Sequence, residues 1–148
     1  MAGAFFLLLG GAPANPAEPP PVIVALVLDT SGSLGASDLE SARALASGLL
    51  RALPPGSEAA VFAFADDSRL LLERTSDVAA VEQAILALDR TGQRTALYDA
   101  LYDASRYLRD APVARRAVVL LTDGLDEGSA LSVEDGLQVA REVRIPVF

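Results

Sequence analysis

The sequence predicts a doubly wound α/β fold with a mostly parallel central sheet and one antiparallel edge strand. Apolar runs at Val22–Leu28, Ala59–Ala65 and within Arg116–Thr122 have the near-continuous hydrophobicity of strands covered on both faces. Segments with apolar residues at helical spacing separate them, the pattern of a parallel sheet with crossover helices. The gap between the second run and Arg69–Glu73 is only Asp66-Asp67-Ser68, too short for a crossover, so that strand turns back antiparallel at an edge. With 148 residues, 51% hydrophobic and 22% charged, the chain has enough apolar material for one domain with its own core.

Taken in order, residues 1–14 hold a short apolar stretch, Ala4 to Leu9, and a small-x-small site at Ala12-Pro13-Ala14. Spanning a bilayer takes about 20 apolar residues, so this stretch is not a transmembrane helix. It has the length of a secretory signal peptide, clipped at its start because no Lys or Arg precedes it; the alternative is a miscalled start or a flexible apolar tail. Residues 15–21 carry four prolines and read as an extended linker. The domain then runs from Val22 to Phe148.

Val22–Leu28 is the expected central strand. Ser37-Asp38-Leu39-Glu40 has capping-box form, and Leu39, Ala42, Ala46, Leu49 and Leu53 follow at helical spacing until Pro54-Pro55-Gly56 stops the helix. Val78, Val81, Ile85 and Leu88 mark a second helix, and Asp89–Arg94, with Gly92, a polar loop. Leu97, Ala100, Leu101, Ala104 and Leu108 mark a third helix. Its repeated Leu-Tyr-Asp-Ala reads as a core Leu and half-buried Tyr recurring every four residues, giving Tyr98, Tyr102 and Asp103 structural roles, while Asp99 complements the helix dipole. A fourth helix starts at Ser132-x-x-Asp135 and runs to about Val143. Ile145–Phe148 begins one more strand.

Composition removes whole classes of chemistry. The chain has no Cys and no His, so neither a His-dependent catalytic triad nor a zinc site built on imidazole or thiolate is available. The net charge of -8 and the lack of any Lys/Arg run argue against nucleic acid and anionic membrane surfaces as partners. The remaining donors are hard oxygens, which select Mg, Mn or Ca.

Asp29-Thr30-Ser31-Gly32-Ser33 places a carboxylate and two hydroxyls, each two residues apart, where the first strand ends. Asp123-Gly124 sits at the end of the strand Arg116–Thr122, and Thr95 just before the third helix. In an open α/β sheet, ligands bind outside the carboxyl ends of strands where strand order reverses, so these residues converge if the two strands are neighbours there. The bland alternative is that Ser31 and Ser33 cap a turn and Asp123 opens a loop.

The three loops, Asp29-x-Ser31-x-Ser33, Thr95 within Arg94–Ala100, and Thr122-Asp123-Gly124, resemble in order and spacing the metal-ion-dependent adhesion site (MIDAS) of von Willebrand factor type A domains. The resemblance covers Val22 to the end and implies a Rossmann-like fold. It implies that Ser31 and Ser33 bind Mg or Mn directly, that Thr95 joins them when a partner is engaged, and that Asp29 and Asp123 act largely through water. A cation ringed by neutral hydroxyls keeps most of its charge and attracts a partner's Asp or Glu. Leu34 stands where the family more often has Met, an exchange of similar volume. Asp126 and Glu127, soon after the third loop, either tune the cation or are simply solvated loop charges, and the second reading is favoured. The family pattern continues past Ile145-Pro146-Val147-Phe148, so its last strand and helix are expected to be missing, with the candidate ligands all preceding that point.

The expected function is adhesion-type binding of a protein that supplies an acidic side chain, outside the cytoplasm, without bond chemistry. Besides a degenerate module that folds without using its metal, two further alternatives stand beside it. One is a cytoplasmic assembly subunit of the kind that works with a ring ATPase in metal chelatases. The other is a phosphohydrolase using Asp29, disfavoured because Ser31 stands where a second carboxylate is needed and no P-loop is present.

Overall fold

A computed structural model describes residues 19–112 and 115–148. The signal-peptide reading of residues 1–14, and the first part of the linker, lie outside them. Pro19, Pro20 and Pro21 are exposed, and the Pro20 carbonyl accepts a hydrogen bond from Arg115 at 2.6 Å.

Four strands form one sheet in the order β3-β2-β1-β4. β1 (Ile23–Asp29) runs parallel to both β2 (Glu58–Phe64) and β4 (Arg116–Leu121), while β3 (Ser68–Thr75) pairs antiparallel with β2 at the edge. The helices are α1 (Ala36–Ala52), α2 (Val78–Leu86), α3 (Leu97–Arg109) and α4 (Val133–Glu142). The expected α/β architecture is therefore present, including the reversed edge strand.

The two-residue alternation of β1 divides the core. Ile23, Ala25 and Val27 face one layer with Ala60, Phe62 and Phe64 of β2, closed by Leu97, Leu101 and Leu108 of α3 and Ala140 of α4. Val24, Leu26 and Leu28 face the other, closed by Ala46 and Leu50 of α1 and Val81 and Ile85 of α2. Every residue of β1 is buried, as a continuous apolar run requires.

Several details depart from the periodicity. α1 begins at Ala36, and its cap is Gly35, whose N–H is taken by the Asp38 carboxylate at 3.0 Å; Ser37 lies inside the helix. Buried Leu34 anchors the chain just before the turn, so the helix starts earlier than the Ser37 capping box implies. Leu50 rather than Leu49 is the fully buried position near the end of α1, and Val78 is exposed. α4 starts as expected, with the Ser132 hydroxyl accepting from the Asp135 N–H at 3.2 Å. β2 is covered on both faces as its apolar run predicts, but β4 is not. Among the described residues, the outer flank of β4 is covered by the short segment of Pro146 to Phe148, bridged at Val147 parallel to Val118, and Val119 to Leu121 stay half-buried.

The chain leaves β1 toward β2 on one side and returns to β4 on the other. The reversal of strand order lies between β1 and β4, whose carboxyl ends carry Asp29 and Thr122-Asp123.

Candidate metal centre

Asp29 is the last residue of β1 and is fully buried. One carboxylate oxygen, Oδ1, accepts the Ser31 N–H at 2.8 Å, which turns the first loop back over the strand end. The other, Oδ2, accepts the Thr122 hydroxyl at 2.7 Å and so ties the first loop to the third. Ser31 is buried, Ser33 exposed, and their hydroxyl oxygens lie 2.9 Å apart. Thr30, in the same loop, is structural: its hydroxyl donates to the Phe64 carbonyl at 3.0 Å and lies 3.1 Å from that of Thr91.

The second loop, residues 87–96, is held against the first by its backbone. The Thr91 N–H donates to the Thr30 carbonyl at 2.7 Å, and the Arg90 guanidinium to the Leu34 carbonyl at 2.7 Å. Gly92 has φ +73°, and a Cβ there would lie 2.9 Å from both Ala65 and the Asp66 carboxylate. That closeness lets Asp66 Oδ1 accept the Arg94 N–H at 2.7 Å and the Gln93 N–H at 3.0 Å. The two amide bonds, Arg94 first, hold the Asp66 carboxyl below its ordinary value near 3.8.

Thr95 follows directly. The next residue is fixed by its N–H bond to the Ala65 carbonyl at 2.7 Å, and the Thr95 carbonyl accepts the Glu127 N–H at 3.0 Å. Thr95 is 1% exposed, yet among the described residues its hydroxyl has no hydrogen-bond partner. A buried unpaired hydroxyl is costly and rare, so its oxygen is free for a further group. Asp123, on the third loop, is exposed; its Oδ1 accepts the Leu125 N–H at 3.2 Å, and Gly124 turns the loop with φ +86°.

The structure thus joins Asp29, Ser31 and Ser33 in one hydrogen-bonded loop and brings the third loop to it through Thr122. Thr95 and Asp123 lie on the second and third loops, which are tied to that core by the Thr91 N–H on the Thr30 carbonyl and by the Thr122 hydroxyl on Asp29. Among the described residues no group of three or more carboxylates is placed to hold a metal. The donor set is instead hydroxyl-rich with two carboxylates, which suits a hard cation that retains water.

Sequence reasoning missed two contributors. Thr122 was visible only as a motif neighbour; a hydroxyl at a strand end beside a buried carboxylate was its one signal. Asp126 is not a solvated loop charge: its Oδ1 accepts the Leu97 N–H at 3.0 Å and the Ser129 hydroxyl at 2.5 Å. Glu127 has an exposed side chain, as expected.

The sequence matches the family described as von Willebrand factor type A domain over residues 24–125. No curated protein matches the chain. Among solved structures it is similar to the conserved hypothetical protein BatB from Bacteroides thetaiotaomicron, with 29% identity, 85% of this chain and 64% of that chain covered, and a TM-score of 0.73. It is also similar to the vWF domain of the type V pili tip protein Mfa5 from Porphyromonas gingivalis, with 25% identity, coverage of 72% and 38%, and a TM-score of 0.65. Proximal thread matrix protein 1 from the mussel byssus, solved with a zinc-occupied MIDAS motif, shares the fold at 24% identity, coverage of 86% and 34%, and a TM-score of 0.73. The chain spans less than two thirds of each of these structures.

Proposed function

The chain belongs to the von Willebrand factor type A family, and from that premise we propose that it is a protein-binding module in which Ser31, Ser33 and Thr95 hold Mg or Mn for an acidic side chain of a partner. The observation that carries this reading is the Thr95 hydroxyl, buried and unpaired beside loops that already present the paired hydroxyls of Ser31 and Ser33. When bound, the cation supplies a positive charge that hydroxyl donors leave largely unneutralised.

The chain's own groups divide the work. Ser31 and Ser33 offer neutral oxygens from one turn. Asp29, with both oxygens already accepting hydrogen bonds, orients the first loop and keeps lone pairs for ordered water. The exposure of Asp123 supports a role through water rather than direct coordination. With neither imidazole nor thiolate in the chain, Mg or Mn fits better than zinc.

The module binds rather than catalyses. The full burial of Asp29 and its two hydrogen bonds support this, because they leave it poorly placed as a nucleophile. No helix among the described residues is long and apolar enough to cross a membrane. The likeness to a pili tip protein supports action outside the cytoplasm. Calorimetric titration with Mn²⁺ tests the reading: saturable binding that Ser31→Ala removes is expected, and binding unchanged by that substitution would refute it.

A further inference from the structure

The N-terminus of α3 is capped from elsewhere in the chain. Ala96, at the cap position, has only a methyl group, so the first N–H groups of the helix have no local acceptor. Asp126 Oδ1 takes the Leu97 N–H at 3.0 Å, and the Ser129 hydroxyl oxygen takes those of Tyr98 at 2.8 Å and Asp99 at 3.3 Å. Ser129 in turn donates its proton to Asp126 Oδ1 at 2.5 Å. The exchange is reciprocal: the Asp99 carboxylate accepts the Ala130 N–H at 2.9 Å and the Leu131 N–H at 3.0 Å. Backbone closes the same seam, with Glu127 N–H on the Thr95 carbonyl at 3.0 Å, and a Cβ at Gly128 would lie 3.0 Å from that of Arg94.

A helix start needs no such arrangement. Asp77 caps α2 and Ser132 caps α4 from their own turns. A remote cap does something a local one does not: it fixes two segments relative to each other. Here the segments are the one carrying Thr95, two residues before Leu97, and the one carrying Asp123, three residues before Asp126. Among the described residues no hydrogen bond sets the direction of the Thr95 hydroxyl, so its aim depends on how its backbone is held.

We propose that Asp126 and Ser129 are positioning residues of the metal centre, a latch that makes the Thr95 and Asp123 loops one rigid unit. The proposal rests on the metal reading above. The latch works through geometry, since its acceptors need only an oxygen in place. Asp126→Asn keeps that oxygen and Asp126→Ala does not.

The test uses the whole chain. In metal-free protein, amide exchange at Leu97, Tyr98, Asp99 and Glu127 should quicken in Asp126→Ala and Ser129→Ala. Calorimetric titration should then show Mn²⁺ affinity weakened about tenfold in both, the scale of losing a group that orients a ligand, with Asp126→Asn within about twofold of the parent. Asp77→Ala, which removes a local cap far from the site, should lower the melting temperature and leave Mn²⁺ affinity unchanged. Should Asp126→Ala fail to fold, Ser129→Ala carries the test alone. Unchanged exchange in the Ala variants shows that no latch exists. Quickened exchange with parental Mn²⁺ affinity shows a merely structural cap, and either result overturns the proposal. A parent that binds no Mn²⁺ sinks the metal reading and the positioning role with it, while the exchange data still report the cap.

Discussion

The carboxylate of Asp29 and the hydroxyl of Thr122 meet at 2.7 Å across 93 residues of chain. The contact joins the carboxyl ends of β1 and β4 at the reversal of strand order, so the first and third loops share one anchor. Thr122→Val keeps the side-chain shape and deletes the donor, leaving a buried carboxylate oxygen without its partner. A loss of about 1.5–3 kcal/mol is expected in chemical denaturation, the range for a hydrogen bond to a charged group. A stability equal to the parent's would show that the bond contributes nothing.

Divalent cations should stabilise the native state, because they bind it and not the unfolded chain. At a concentration about 100 times Kd, the stabilisation is about 2.7 kcal/mol, seen as a rise of several degrees in melting temperature with Mg or Mn. Ser31→Ala should abolish the rise while changing the metal-free melting temperature little. Asp29→Ala should abolish it and also destabilise the protein, because the Ser31 N–H and the Thr122 hydroxyl both lose their acceptor. A rise that persists in both variants would place the cation elsewhere.

How far the sequence revealed this site depended on whether an interaction was local. β1, β2 and the crossover helix were legible because apolar periodicity is a property of neighbouring residues. The cap of α4 was legible for the same reason, since Ser132 and Asp135 lie in one turn. The remote cap of α3 was not: Asp126 stands 29 residues from Leu97, and nothing in its own surroundings marks it as an acceptor. The half-covered state of β4 was hidden too. An apolar run reports what a strand could bury, and the packing of its neighbours decides what it does bury. The start of α1 slipped because the cap residue, Gly35, has no side chain to mark it, and Asp38 rather than Glu40 supplies the carboxylate that takes the cap N–H.

Asp66 sets a pH dependence. Its carboxyl is held below the ordinary value near 3.8 by the Arg94 and Gln93 amide bonds. A folded-state value below the unfolded one gives stability that is present above the unfolded value and lost as pH falls through the folded one. The loss should therefore fall below about pH 4, and Asp66→Asn, which keeps an acceptor oxygen but does not titrate, should flatten that part of the curve. Denaturation midpoints measured from about pH 2 to about pH 6, a span that brackets the carboxylate range, check this; parallel curves for parent and variant would rule it out.

Three glycines should respond to alanine in three different ways. Gly48 lies exposed within α1, and a methyl group there would meet nothing within 4 Å, so Gly48→Ala should stabilise by about 0.5–1 kcal/mol through helix propensity alone. Gly32→Ala would bring a methyl to 3.2 Å from the Gly92 carbonyl, a contact that a small shift of the loop relieves. Gly92→Ala combines two penalties, a left-handed φ of +73° and a methyl 2.9 Å from Ala65 and Asp66. It should cost about 2 kcal/mol or more. The shift it forces would pull Gln93 and Arg94 away from Asp66, and Thr95 with them, so metal-dependent stabilisation should shrink beyond what the lost stability explains. Urea denaturation of the three variants with and without Mn²⁺ separates these effects, and a Gly92→Ala protein as stable and as Mn²⁺-responsive as the parent would show that the second loop tolerates the side chain.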